Sequence, residues 1–232
     1  MNVASARKYR SGVTFRGIPD EALDFYVQLE ADNSKSFWQA NKATFESAVR
    51  QPMAELCEEL SDYGPFHLFR PYNDLRFAKG RPPYKTRQGA YCESEGGAGY
   101  YFHIGADGML AGVGYYSMAK DQLERFRAAV DDDTSGPEVA RLTADLAARG
   151  YSIGAMDELK SAPRGFAKDH PRIELLRRKG LMASRQFPVA AWMGSPQVVT
   201  RVRATWSGLQ PLCGWLDTHV GPSTLPPDDA RS

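Results

Sequence analysis

A chain of 232 residues with 42% hydrophobic and 11% aromatic residues can bury a sizeable core, and a formal net charge of +1 excludes a surface built throughout to bind nucleic acid or acidic membranes. The three cysteines, Cys57, Cys92 and Cys213, form no CxxC pair and are an odd number, which fits a reducing compartment and not a disulfide framework. No apolar run is long enough to span a bilayer, and MNVASARKYRSGVTF lacks the apolar segment of a signal peptide, so the expectation is a cytoplasmic protein without a membrane partner.

Residues 1–14 read as a flexible N-terminus. From Pro19, PDEALDFYVQLEA places acidic residues in a first turn and Leu23, Tyr26, Val27 and Leu29 on one face, the pattern of an amphipathic helix. Asn33 or Ser34 caps a second helix, in which Trp38, Asn41, Phe45, Val49, Met53, Leu56 and Leu60 recur at helical spacing and Pro52 marks a break or kink. The period then changes. FHLFR, GAYCE, GYYFHIG and MLAGVGYY read as short strands, with Ala106-Asp107-Gly108 as a tight turn, so Gly89 to Tyr116 is expected to form an antiparallel meander. Ser117 caps a helix carrying Leu123, Phe126 and Val130, the run Asp131-Asp132-Asp133 reads as a solvated loop, and a further helix starts at Pro137 and stops at Gly150.

Tyr151 to Ile153 and LMASRQF read as strands around a short helix in DHPRIELLRRKG. A last helix starts at Ser195-Pro196, carries Val199, Val202, Trp206 and Leu209, and is interrupted by Pro211. Residues 221–232 combine proline, small residues and charge and read as a disordered tail. The expected fold is α+β, an antiparallel sheet meander packed with helices, in a single domain over residues 15–220.

Charge is segregated along this frame. Between Arg70 and Arg87 stand six basic residues (Arg70, Arg76, Lys79, Arg81, Lys85, Arg87) against Asp74 alone, a net of +5. Between Lys160 and Phe187 eight basic residues face Asp169 and Glu174, a net of +6, which leaves −10 for the rest of the chain. Such blocks repel themselves unless they face solvent, pair with acidic neighbours or meet an anion. Asp74 stands four residues after Arg70 and two before Arg76, so a bend through Pro71-Tyr72-Asn73 brings two guanidiniums to one carboxylate and aims their outer N–H groups at a phosphate or carboxylate. Gly80, Pro82 and Pro83 stiffen the backbone that presents Tyr84 and Lys85.

Arg70-Pro71-Tyr72-Asn73-Asp74-Leu75-Arg76-Phe77 followed by Arg81-Pro82-Pro83-Tyr84-Lys85 resembles the signature Arg-x-x-Arg-Asp-x-Arg-Phe-x-x-x-Lys-x-Pro-Tyr-Lys of an uncharacterised, mainly bacterial family, domain of unknown function 2461. Asn73 stands where the family has Arg, and Arg81 where it has Lys. The resemblance extends to DNSKSFWQANKATFE from Asp32, to GYYFHIGADGMLAGVGYY and to APRGFAKDHP from Ala162. It implies one domain with a shared site and carries no activity with it. These segments hold Asn41 and Lys42, the signature loop, and Arg164, Lys168, Asp169 and His170 ahead of Pro171, and they are expected to converge on one cleft.

The absent motifs narrow the chemistry. There is no His or Cys spacing for zinc, no carboxylate set for magnesium, no P-loop, no dinucleotide fingerprint and no GxSxG elbow, so no metal and no cofactor is expected. The candidate catalytic residues are Asp74 as base or orienting group and Tyr84 or His170 as proton donor; Arg70, Arg76, Arg81, Lys85, Asn41, Lys42, Arg164 and Lys168 are the candidate ligand-binding residues. The expected partner is an anionic small molecule or nucleotide, and the chain is read as a binding protein or an enzyme acting on a phosphorylated compound. The alternative is a non-catalytic interaction module for protein or single-stranded nucleic acid, since Tyr72, Phe77, Tyr84 and Tyr91 interleave with the cations as stacking rings do with phosphate contacts.

Overall fold

The computed structural model describes residues 14–74, 80–94 and 96–226. Most of the expected flexible N-terminus and residues 227–232 of the expected tail lie outside that description. The architecture is α+β, built on a six-stranded antiparallel sheet with strand order β1-β2-β3-β4-β6-β5. In chain order the strands are β1 (His67–Leu68), β2 (Arg87–Glu93), β3 (Gly99–Gly105), β4 (Gly108–Tyr115), β5 (Ser152–Gly154) and β6 (Leu181–Phe187). The helices are α1 (Asp20–Ala31), α2 (Lys35–Thr44), α3 (Gln51–Glu59), α4 (Lys120–Asp131), α5 (Ser135–Ala148), α6 (Ile173–Leu176) and α7 (Gln197–His219). The sequence-predicted meander is the run β1-β2-β3-β4, and β6 falls at the residues expected from LMASRQF.

The chain divides into two compact units, one comprising 1–92, 101–110 and 186–204, the other 93–100, 111–185 and 205–232. In the first unit α1 buries Leu23, Tyr26 and Leu29, the face expected from its period, although Val27 is exposed. Ser34 caps α2 by accepting from the Phe37 N–H, which leaves Asn33 free for another task. Pro52 does not break the second helix. A widened turn, Phe45–Arg50, joins α2 to α3 immediately before it, with the Gln51 N–H donating to Glu46 O, five residues back. Proline has no N–H to offer and its ring crowds the carbonyl four residues earlier, so a wide turn absorbs the misfit that would otherwise end the helix. Tyr26, Leu29, Val49, Met53, Leu56, Leu60, Phe102 and Ile104 are buried and form the core of this unit.

The hairpin from β3 to β4 requires a glycine. Gly108 has φ +106°, and a Cβ there would stand 2.2 Å from the Phe187 carbonyl oxygen. Asp-Gly is therefore a steric requirement as well as a turn signal.

In the second unit Asp132 accepts from the Thr134 and Ser135 N–H groups and so starts α5 two residues before Pro137. The acidic run is thus partly structural, with Asp132 serving as a capping carboxylate. The helix expected across DHPRIELLRRKG shortens to α6, and α7 continues through Pro211 to His219. Leu209, Leu212, Cys213, Trp215 and Leu216 are buried on both sides of that proline, and their burial outweighs the one lost helix bond. The residues after α7 are held as well: Arg125 donates to Pro222 O, and Ser223 and Thr224 bond the Asp121 carboxylate, which lies well below the usual carboxylate range with the Thr224 N–H as first cause.

Candidate functional site

The described residues on either side of 75–79 are paired with one another as a neck. Phe69 N–H donates to Gly89 O and extends the β1–β2 pairing, whose register sets His67 opposite Tyr91. Beyond it Tyr72 pairs with Tyr84 in an antiparallel bridge, through Asn73 N–H to Pro83 O at 2.9 Å and Lys85 N–H to Pro71 O at 2.8 Å. The Asn73 side chain adds bonds to Pro82 O (2.8 Å) and Tyr84 O (3.2 Å). An amide at this position therefore ties the two legs of the loop together, a task that arginine's donors share but its charge does not require.

A third partner completes the neck. Asn33 donates from Nδ2 to Tyr84 O and accepts the Tyr84 N–H on Oδ1, both at 3.0 Å. Its carboxamide offers one donor and one acceptor to a single residue, just as a neighbouring strand would, so the leg carrying Tyr84 is hydrogen-bonded on both edges. The Tyr84 ring is buried and stacked on Trp38 of α2, with centroids 4.3 Å apart and planes within 7°, and Tyr72 packs against both. Burial, then the neighbouring Tyr72 phenol, raises the Tyr84 hydroxyl above its usual range and makes it a weaker acid than a free phenol. Tyr84 is thus placed as an anchor of the loop.

Above this neck three of the expected cations gather. Lys85 Nζ stands 5.1 Å from the centroid of the Phe69 ring. Burial, and then the like charges of Arg70 and Arg81, hold its ammonium below the usual lysine range. Among the described residues no carboxylate lies within ion-pair distance of Lys85. Arg70 reaches Asp74 only at 4.0 Å, the outer limit of an ion pair, with its side chain 68% exposed. The expected carboxylate hub is therefore loose on the Arg70 side, and the second guanidinium assigned to it, Arg76, lies outside the described residues, as do Lys79 and Phe77. The amide and aromatic neck contributes to the shape of this site.

Phe69, Tyr91 and Tyr101 share a half-buried face of the sheet beside Lys85. Phe69 and Tyr91 stack with centroids 5.3 Å apart and planes 19° from parallel, and Tyr101 lies 6.2 Å from Phe69. Gly89 lies beneath them, where a Cβ would meet the Tyr101 hydroxyl at 2.9 Å and Phe69 at 3.1 Å. The Tyr101 hydroxyl in turn meets His103 Nδ1 at 3.0 Å. His103 is buried. Burial, followed by the charge of Arg87 and opposed by Asp107, brings it down to about 4, so it is neutral at pH 7.

Of the remaining candidates, Asn41 and His170 make local hydrogen bonds, and Lys42, Arg164 and Lys168 are exposed. Asn41 donates to Phe37 O within α2, and Lys42 is exposed on the same helix. Arg164, Lys168 and His170 belong to the second unit, where Arg164 and Lys168 are exposed. His170 accepts the Arg172 N–H on Nδ1, so its proton sits on Nε2 and points at Asp131 Oδ1, 3.1 Å away. Arg172 closes the end of α4 by donating to Val130 O and Asp131 O. With both ring nitrogens engaged, His170 in this arrangement is a brace between α4 and the turn before α6.

Asn33, Trp38, Tyr101 and His103 were not singled out as site residues from the sequence. Asn33 and Trp38 fall within the family-like DNSKSFWQANKATFE, where capping and helical period explained them too readily. Among the described residues there is no group of three or more His, Cys, Asp or Glu side chains placed to hold a metal ion, and no helix long and apolar enough to cross a membrane.

The family model described as conserved hypothetical protein (DUF2461) matches residues 21–215. No curated protein and no solved structure matches the chain.

Proposed function

The chain belongs to the DUF2461 family of conserved hypothetical proteins, and on that premise we propose that it is a cytoplasmic protein whose signature loop binds the phosphate or carboxylate of a small ligand through Arg70, Arg81 and Lys85. The observation that carries this reading is the setting of Lys85, a part-buried ammonium whose influential charged neighbours are two guanidiniums. Like charges gathered on a hydrogen-bonded neck repel one another, and an anion among them relieves the repulsion. Arg70 and Arg81 supply planar forks of donors, and Lys85 a point charge.

Titration calorimetry with inorganic phosphate, pyrophosphate and adenosine monophosphate tests the reading. Charge-assisted hydrogen bonds contribute about 1.5–3 kcal/mol each, so Lys85→Met is expected to weaken the tightest of these roughly 10- to 100-fold, and Arg81→Ala by a smaller factor because Arg81 is exposed. Undiminished binding in both variants would sink the assignment.

The half-buried Phe69, Tyr91 and Tyr101, with Lys85 alongside, favour a second reading, a surface for single-stranded nucleic acid. Salt separates the two. An oligonucleotide that neutralises several phosphates loses affinity steeply as salt rises, in proportion to the number of contacts, whereas one anion in a pocket gives a shallow dependence.

A further inference from the structure

We propose that the anion held by Arg70, Arg81 and Lys85 is the phosphate of a nucleoside monophosphate whose base stacks on the Phe69, Tyr91 and Tyr101 rings. The proposal rests on the anion-binding reading above and names the ligand class of that site.

Three features of this sheet face carry it. First, the rings are held in place by the protein itself. Phe69 and Tyr91 stack with centroids 5.3 Å apart and planes 19° from parallel, and the Tyr101 hydroxyl meets His103 Nδ1 at 3.0 Å. A Cβ at Gly89 would stand 2.9 Å from the Tyr101 hydroxyl and 3.1 Å from Phe69, so these rings close over a strand position that has no side chain to push them apart. All three rings are half-buried, and each keeps part of its surface for a further aromatic partner.

Second, rings and charge adjoin. Lys85 Nζ stands over the Phe69 ring, 5.1 Å from its centroid, a contact that favours the charged ammonium. Lys85 N–H donates to Pro71 O, which sets this cation beside the residue that follows Arg70. An apolar face alone would accept any apolar partner. A face that ends in cations selects a molecule with a planar ring at one end and a negative charge at the other, and a nucleotide stacks by its base while cations hold its phosphate.

Third, the face is short. His67 stands two residues before Phe69, and the Pro71 carbonyl that pairs with Lys85 two residues after it. The His67 ring is turned 73° from Phe69 and 71° from Tyr91, with centroids 6.0 and 5.8 Å away, and so interrupts the near-parallel rings. From His67 to Pro71 an extended chain spans at most about 14 Å. That length takes one base and its phosphate, so the occupant is a single nucleotide and not a strand.

Titration calorimetry with adenosine monophosphate, ribose 5-phosphate, adenosine and tetra-adenylate tests this. Adenosine monophosphate is expected to bind at least about fivefold tighter than ribose 5-phosphate, the lower bound for one base stacked on an aromatic side chain, and at least about tenfold tighter than adenosine. Tetra-adenylate should gain less than about tenfold over the monophosphate. Tyr91→Leu keeps an apolar side chain but offers no ring, and on that variant adenosine monophosphate should fall to the affinity of ribose 5-phosphate. The ratio of the two ligands is the readout, which a general loss of fold does not mimic, and the parent protein alone already tests it. Equal binding of adenosine monophosphate and ribose 5-phosphate by the parent overturns the proposal and leaves the anion site standing, and a ratio that survives Tyr91→Leu overturns the stacking. Tetra-adenylate binding more than tenfold tighter and lost steeply with salt overturns it in favour of an extended nucleic-acid surface. If the intact protein binds neither inorganic phosphate nor any of these phosphates, the anion site falls with it.

Discussion

Replacing Asn33 by alanine is expected to weaken inorganic phosphate binding by about tenfold or more and to destabilise the fold by about 1–3 kcal/mol, although Asn33 carries no charge. The Tyr84 N–H has the Asn33 side chain as its partner at 3.0 Å, whereas the Tyr84 carbonyl also accepts from Asn73. Removing the carboxamide therefore strands one buried donor and leaves the leg that carries Lys85 hydrogen-bonded on one edge only. Urea unfolding reads the stability and calorimetry with phosphate reads the affinity. A variant that loses stability but binds phosphate as tightly as the parent would show that the neck does not position the cations.

The second large effect is a dependence of stability on pH centred on His103. The folded state holds this imidazole neutral down to about 4, whereas in the unfolded chain it takes up a proton near the ordinary histidine value of 6.5. The unfolded state therefore binds more protons between those limits, and stability must rise with pH across them. Read in the other direction, the fold loses roughly 3 kcal/mol as pH falls from 6.5 to 4, at about 1.4 kcal/mol per unit. Urea midpoints measured from pH 7 to pH 4 test this directly. His103→Gln, which keeps a polar group near Tyr101 but does not titrate, should flatten the slope; an unchanged slope would assign the loss to other groups.

Much of the fold is legible in the sequence wherever a pattern is local. The short β-rich runs of the meander, the Asp-Gly turn before Met109 and the strand LMASRQF need only neighbouring residues to be recognised, and they stand where the sequence puts them. Proline is where local reading is incomplete. Pro52 is expected to break or kink its helix, and a widened turn stands immediately before it, whereas Pro211, expected to interrupt its helix, is carried through by burial on both sides. Propensity weighs one residue at a time, and burial of the surrounding residues can outweigh it.

The candidate site divides along the same line. That cations cluster between Arg70 and Lys85, on a backbone restricted by Pro82 and Pro83, is a property of composition and order. Two things depend on residues far apart in the chain: Asn33 meets Tyr84 across 51 positions to complete the neck, and Phe69 is brought against Lys85 to set the environment of its amine. A sequence states which groups exist and how they are spaced. Which of them share a strand edge, a ring face or a dry contact is fixed only when the chain closes on itself, because desolvation and hydrogen-bond geometry depend on distance in space and not along the backbone.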